Sequence, residues 1–361
     1  MRSAALAVNS RASNQGRGRN MRSLWIGLGL AVAALSASPA TAQEKLVVSV
    51  WGGNWKDGAA IIGKEFTKRT GIQVEYITGG TLDRLAKAKV ARNNPESDVT
   101  YTTSHVGYLY QNDGLFEKLD KSKLSNFKDL YAAGDRGDYE VGVYSYIYSP
   151  VFRTDLMPKG FKINSWADLW SDPVKGKLSL PDFDPSHIII AASKLSNVSP
   201  TDWKTAIPLL LKLKPSIKAF YQSDATSQDL FKNGETPVQV MLTINAYHLM
   251  QQGVKAEIAI PKEGAVVGIG ALGINKNTKM LAAAHQFIDI SLDPHIQEAI
   301  CEFHKCSPMN TKAKVSPELA KLPGIFTTEE QWKTQAIVLP DAEYAKLLPV
   351  WKAWFTEEMM H

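Results

Sequence analysis

Residues 46–55 read Leu46-Val-Val-Ser-Val-Trp51-Gly52-Gly53-Asn54-Trp55. The run 46–51 is apolar and rich in β-branched side chains, the pattern of a strand covered on both faces. Past the glycines, residues 56–70 carry Ala59, Ile62 and Phe66 on one helical stripe that stops at Gly71. The same order then repeats. Residues 72–77 read as a strand and 82–91 as a helix with Thr81 as its N-cap; 98–102 is again a strand, and a helix runs from about His105 to Gln111. Strand–helix alternation of this kind predicts an α/β fold, a mainly parallel sheet with helices on both faces.

Further along, the pattern changes. Residues 139–149 form a long alternating strand with no helix after it, placing Tyr144, Tyr146 and Tyr148 on one face. A second α/β set follows: strands at 177–180, 217–221, 238–242 and 256–260, and helices around 186–195, 202–213, 225–232 and 245–252. Residues 268–275 are another strand, leading to a helix at 279–290 with Met280, Leu281, Ala284, Phe287 and Ile288 on one stripe. From about Ser316 the chain reads as mostly helical. Two α/β units joined by two long strand segments suggest a two-domain clamp with two hinge crossings, able to close on a ligand.

The chain has 361 residues, 44% apolar and 21% charged, enough for two domains with sizeable cores. That composition excludes a disordered chain, a collagen or a small disulfide scaffold. The net charge of +5 hints at a nucleic-acid partner, but five arginines and no acid lie within residues 1–42. Taking those five from the 41 Lys and Arg leaves 36 bases against 36 acids, and the argument for nucleic acid disappears. In that leader Arg17, Arg19 and Arg22 precede the apolar stretch 24–35, and small residues Ala40 and Ala42 precede a cut before Gln43. The stretch is shorter than the ~20 residues of a membrane-spanning helix. Residues 1–42 are therefore expected to be a secretory signal peptide, started from Met1 or Met21, and the remainder a soluble exported protein. Cys301 and Cys306 fit an oxidising compartment as a local disulfide. A metal site made of these cysteines and His304 lacks a fourth ligand at the usual spacing.

In parallel α/β sheets ligands bind beyond the carboxyl ends of strands, near helix N-termini. The corresponding tips here are rich in small polar and aromatic residues. The first offers Trp51, Gly53 and Asn54, with Asn54 as a helix cap and the indole for stacking. Others offer Thr81, then Thr103, Ser104 and His105, then Asp184 and His187, then Asn245 and Tyr247. Each tip also reads as an ordinary capped turn; together they suit a cleft that grips a small molecule. Tyr144 and Tyr146 on the long strand are candidates for its wall. No nucleophile elbow, zinc-protease helix, dinucleotide loop or phosphate loop is present in the sequence. No cofactor and no metal are expected.

Several segments resemble bacterial extracellular solute-binding proteins of ABC transporters, nearest the spermidine/putrescine-binding branch. They are the leader, Leu46–Gly53 with Phe-Thr-Lys-Arg-Thr-Gly-Ile-Gln-Val at 66–74, Ser-Trp-Ala-Asp-Leu-Trp-Ser-Asp-Pro-Val-Lys-Gly-Lys-Leu at 165–178, Ile-Pro-Lys-Glu-Gly at 260–264, Ala-Leu-Gly-Ile-Asn-Lys-Asn-Thr at 271–278 and His-Gln-Phe-Ile-Asp-Ile-Ser-Leu-Asp-Pro at 285–294. The resemblance implies a periplasmic-binding-protein-like clamp of type II. Its lobes would be 43–143 plus 267–305 and 144–266 plus 306–361. It also implies a periplasmic, non-enzymatic, monomeric receptor that passes a small solute to permease subunits coupled to a cytoplasmic ATPase. A secreted two-domain α/β enzyme is the alternative of another class. Polyamine binders of this branch set carboxylates and tryptophans around a polycation. This sequence has His187 where a second acid is expected and Leu242 where a Trp is expected. It has Val267-Gly268-Ile269-Gly270 where Trp-x-Asp is expected. These departures predict a neutral or anionic organic solute, with Gly268 making room in the site; a polyamine is the alternative.

Overall fold

The computed structural model describes residues 45–361, which lie within one compact unit; the leader at 1–42 falls outside the described residues. Strands β1 (Lys45–Val50), β2 (Gln73–Thr78) and β3 (Val99–Thr103) are parallel, with α1 (Asn54–Thr70), α2 (Thr81–Val90) and α3 (Ser104–Asn112) following them in turn. The long strand β4 (Glu140–Arg153) comes next. The second set comprises β5 (Leu178–Pro181), α4 (Ser186–Leu195), α5 (Ile207–Leu211), β6 (Ile217–Tyr221), α6 (Asp224–Lys232), β7 (Val238–Leu242), α7 (Thr243–Gln251) and β8 (Ala256–Ile258). The chain returns through β9 (Ala265–Ile274) to α8 (Leu281–Ser291), α9 (Pro294–His304) and β10 (Ser307–Pro308). It ends with α10 (Pro317–Ala320), α11 (Glu329–Gln335), β11 (Ala336–Ile337) and α12 (Asp341–Met359).

The sheet runs β2-β1-β3-β9-β4-β7-β5-β6. Its centre is the antiparallel pair β4–β9, which both halves share. The first part of β4 pairs with β9 from Glu140 to Tyr148, and its second part pairs with β7 from Tyr148 to Phe152. A strand of 14 residues spans roughly 45 Å, so β4 belongs to both halves and carries one of the crossings. One core packs Leu46, Val48, Phe66, Tyr101 and Phe287 and continues beneath β4 to Val151, Met241 and Leu249. Another packs Trp166, Leu180, Ile189, Trp203 and Leu210 against Trp351 and Phe355 of α12.

Three local expectations change. The helix expected at 202–213 divides into a 3-10 segment, Pro200–Ala206, and α5. Asp202 leaves helical geometry (φ −98°, ψ 22°), and Pro208 has no N–H to carry the hydrogen bonding across the join. Leu281, expected on the buried stripe, is exposed, whereas Ala284, Phe287 and Ile288 are buried. Neither Asn54 nor Thr81 caps its helix by side chain. Gly53, at φ 59°, and Gly80 hold the N-cap positions. Cys301 and Cys306 are bonded to each other. Lys305, at φ 57°, turns the chain back after α9 so that Cys306 meets the helix.

Candidate functional site

The site is built on β4 and β9. Tyr144, Tyr146 and Tyr148 alternate along β4 and therefore share one face. In the antiparallel register Tyr144 pairs with Gly270 and Tyr146 with Gly268. A Cβ at Gly270 would lie 2.6 Å from the Tyr144 ring, and one at Gly268 would collide with the Tyr146 ring. The glycines thus let both rings lie down across β9. Trp55, from the first turn of α1, stacks on Tyr144 with centroids 6.1 Å apart and planes at 13°. Tyr148 stacks on His187 at 4.0 Å.

Above this aromatic floor lies a cavity of about 440 Å³. The first half contributes Trp51, Trp55, Thr81, Leu82, Thr103 and His105 to its wall. The second contributes Phe183, Asp184, Gln222, Ser223, Asp224 and Leu242, and α12 adds Leu348 and Lys352. Trp51 is fixed by a bond from its Nε1 to Thr81 Oγ1 at 2.7 Å.

Two carboxylates face this space in different states. Burial pushes Asp184 up, but the fields of His187 and His105, with hydrogen bonds from Ser186 and Tyr344, outweigh it and hold the group below its ordinary value. Ser186 N–H donates to Oδ1 at 3.0 Å and Tyr344 O–H to Oδ2 at 2.8 Å. Asp224 is raised instead, because burial outweighs the influence of Asn245. Neither Asp224 Oδ1 nor Asn245 Nδ2 has a hydrogen-bond partner among the described residues. His105 is lowered, chiefly by burial, against the opposing pull of Asp184 and Asp341; its ring stacks on Tyr344 at 4.2 Å. The first turn of α12 closes this side: Ser104 Oγ donates to Asp341 Oδ1 at 2.7 Å and Arg136 Nε to Asp341 Oδ2 at 2.8 Å.

Such a cavity can hold a molecule by stacking and by charge. The profile of the bacterial extracellular solute-binding protein family matches residues 62–327. The chain belongs to this family. The spermidine/putrescine-binding periplasmic protein of Escherichia coli strain K12 is 28% identical over 287 residues, covering 75% of this chain and 80% of the relative. Among solved structures, an ABC transporter protein of Clostridium perfringens ATCC 13124 is 25% identical with a TM-score of 0.75, covering 87% of this chain and 100% of that one. The Atu4243 GABA receptor is 25% identical with a TM-score of 0.73, covering 86% and 97%. The protein is the substrate-binding component of an ABC importer, delivering a small-molecule solute to the transporter, and is not an enzyme. Its mixed α/β sheet with flanking helices is that of the two-lobed binding proteins. No helix among the described residues is long and apolar enough to cross a membrane.

In this solute-binding protein the sequence-derived candidates separate into three groups. Trp51, Thr81, Thr103, His105, Tyr146 and Asp184 line the cavity. His187, Asn245, Ser104 and Gly268 are not among its lining residues, and the first three are buried. His187 supports Tyr148 and sets its Nδ1 3.2 Å from the Asp184 carbonyl. Gly53 and Asn54 are exposed at the start of α1, and Tyr247 is a core residue bonded through its hydroxyl to the Pro323 carbonyl. The cavity also uses Trp55, Phe183, Tyr148 and Asp224, outside the sequence-derived set. Asp224 follows a Ser-capped helix start, which in sequence signals a cap and nothing more.

Proposed function

We propose that the cavity takes a small organic di- or polyamine. The protein captures it in the periplasm as a monomer and hands it to permease subunits driven by a cytoplasmic ATPase. The two lobes are 43–143 plus 267–305 and 144–266 plus 306–361, meeting where β4 and β9 cross. Asp224 carries the ligand class. Its Oδ1 is buried without a hydrogen-bond partner among the described residues, and the residue lines a cavity walled by Trp51, Trp55, Tyr144, Tyr146 and Tyr148. A buried carboxylate lacking a cation is costly; an ammonium ion supplies the missing charge and an aromatic wall attracts it. The expectation of a neutral or anionic solute rested on the lack of a second acid beside Asp184; Asp224 in the cavity lining supports a second acid there and with it the amine reading. The leader and the periplasmic relatives support the compartment. Lys352 at the mouth favours a second reading, an amino acid whose carboxylate faces that lysine.

Calorimetric titration with putrescine, spermidine, GABA and succinate tests these readings. Saturable binding of a di- or polyamine is expected. Binding of GABA alone moves the assignment to the zwitterion. Binding of succinate alone, or of none of the amines, overturns the amine reading.

A further inference from the structure

Away from the interlobe cavity, the first half of the molecule contains a separate cavity of about 240 Å³ lined by residues of α2, β1, β2 and β3. Its deep wall includes Arg84, Ser49, Thr100, Tyr110 and Asn275, all buried. Exposed Lys87, Arg92 and Lys276 line its outer part, together with one carboxylate, Glu96.

Arg84 is 6% exposed. Its Nε donates to the Gly79 carbonyl at 3.2 Å, and its Nη1 donates to Ser49 Oγ at 3.3 Å and to the Tyr101 carbonyl at 2.8 Å. Its Nη2 is buried with no partner among the described residues. The guanidinium lies 4.8 Å from the Trp51 ring centroid. Burial lowers its pKa to about 10; Arg84 therefore remains a cation at neutral pH, and no carboxylate among the described residues forms an ion pair with it. A buried guanidinium is ordinarily paired, because its fork of donors and its charge both need an acceptor.

We propose that this cavity is a second ligand site, which takes a small oxyanion of phosphate or carboxylate chemistry. Arg84 forms the floor of the site, and Lys87, Arg92 and Lys276 draw the anion in. The acceptor oxygens supply Nη2 with the partner that the described residues do not. Because the same guanidinium faces Trp51, an anion bound here offsets positive charge next to the solute cavity.

Titration of the purified protein with inorganic phosphate and, separately, with acetate tests the proposal and distinguishes the two chemistries. Saturable binding is expected in at least one arm. Lys87→Glu should weaken it at least tenfold, and Glu96→Gln should strengthen it. Arg84→Met should abolish it; if that variant does not fold, the two exposed substitutions still decide. No saturable binding in either arm, or binding that ignores both surface substitutions, overturns the proposal.

Discussion

Asp224 occupies the first position of α6, where the helix dipole favours its ionised form, yet burial holds its carboxyl above the ordinary value. A hydrogen bond to a charged group is worth about 1.5–3 kcal/mol, which corresponds to about 10–100-fold in affinity. Asp224→Asn is therefore expected to weaken amine binding by about that factor in calorimetry while leaving the circular dichroism unchanged. An unaltered affinity would remove Asp224 from the site. The amine pairs with the ionised carboxylate, so protonation competes with it. Binding should weaken as pH falls from neutral through the raised pKa, and Asp224→Asn should flatten that decline. His304 supplies a stability counterpart. It is packed on Gly58 and Trp55, and burial lowers it to about 4. The unfolded chain binds its proton near the ordinary 6.5, so the unfolded state gains protons first on acidification. Stability is then complete above about pH 6.5 and declines towards pH 4, by about 3 kcal/mol for a shift of this size. Urea denaturation from pH 7 to 4.5 should show the decline and His304→Gln should reduce it; equal slopes would exclude His304 as the source.

At the scale of elements, the glycines of β9 matter through their partners on β4. Gly268→Ala places a methyl group in the space of the Tyr146 ring, and overpacking of this kind costs about 1–3 kcal/mol. The ring must leave the cavity floor, so the variant should lose denaturant stability and amine affinity together. Wild-type values for both would show that the floor tolerates the methyl group. The β4–β9 register also explains what could be read from sequence. The main strands and the helices around the first half were legible because apolar periodicity over five or more residues separates strand from helix. The two-residue strands β10 and β11 carry no period to read, and the break before α5 depends on how Pro208 falls in the hydrogen-bonding frame. The candidate residues stood at the right strand tips, but a tip does not determine which side chain turns inward. Asn54 points to solvent while Trp55, one residue on, enters the cavity. The segment 267–270 read only as the loss of a Trp-x-Asp pattern until the register set Gly268 and Gly270 opposite two tyrosines.

For the whole molecule, the decisive contact is the one α12 makes across the halves. Its later residues Trp351 and Phe355 are embedded in the core of the second half, while Asp341 at its start holds Ser104 of α3 and Arg136. The side chains of Arg136 and Asp341 are only 9% and 11% exposed. Removing one partner of a buried pair costs about 3–5 kcal/mol, because the other charge is left uncompensated. Here that cost falls on the arrangement in which α12 meets α3, so Asp341→Ala should favour an opened clamp. The apparent affinity then falls with the fraction of molecules able to close. Small-angle scattering of the unliganded variant should give a larger radius of gyration than wild type, and saturating ligand should bring the two together. Ser104→Ala, which removes one hydrogen bond to the Asp341 carboxylate worth about 1.5–3 kcal/mol, should move both quantities in the same direction by less. If Asp341→Ala lowers unfolding stability but leaves scattering and affinity at wild-type values, the pair braces the fold in every state and α12 takes no part in closure.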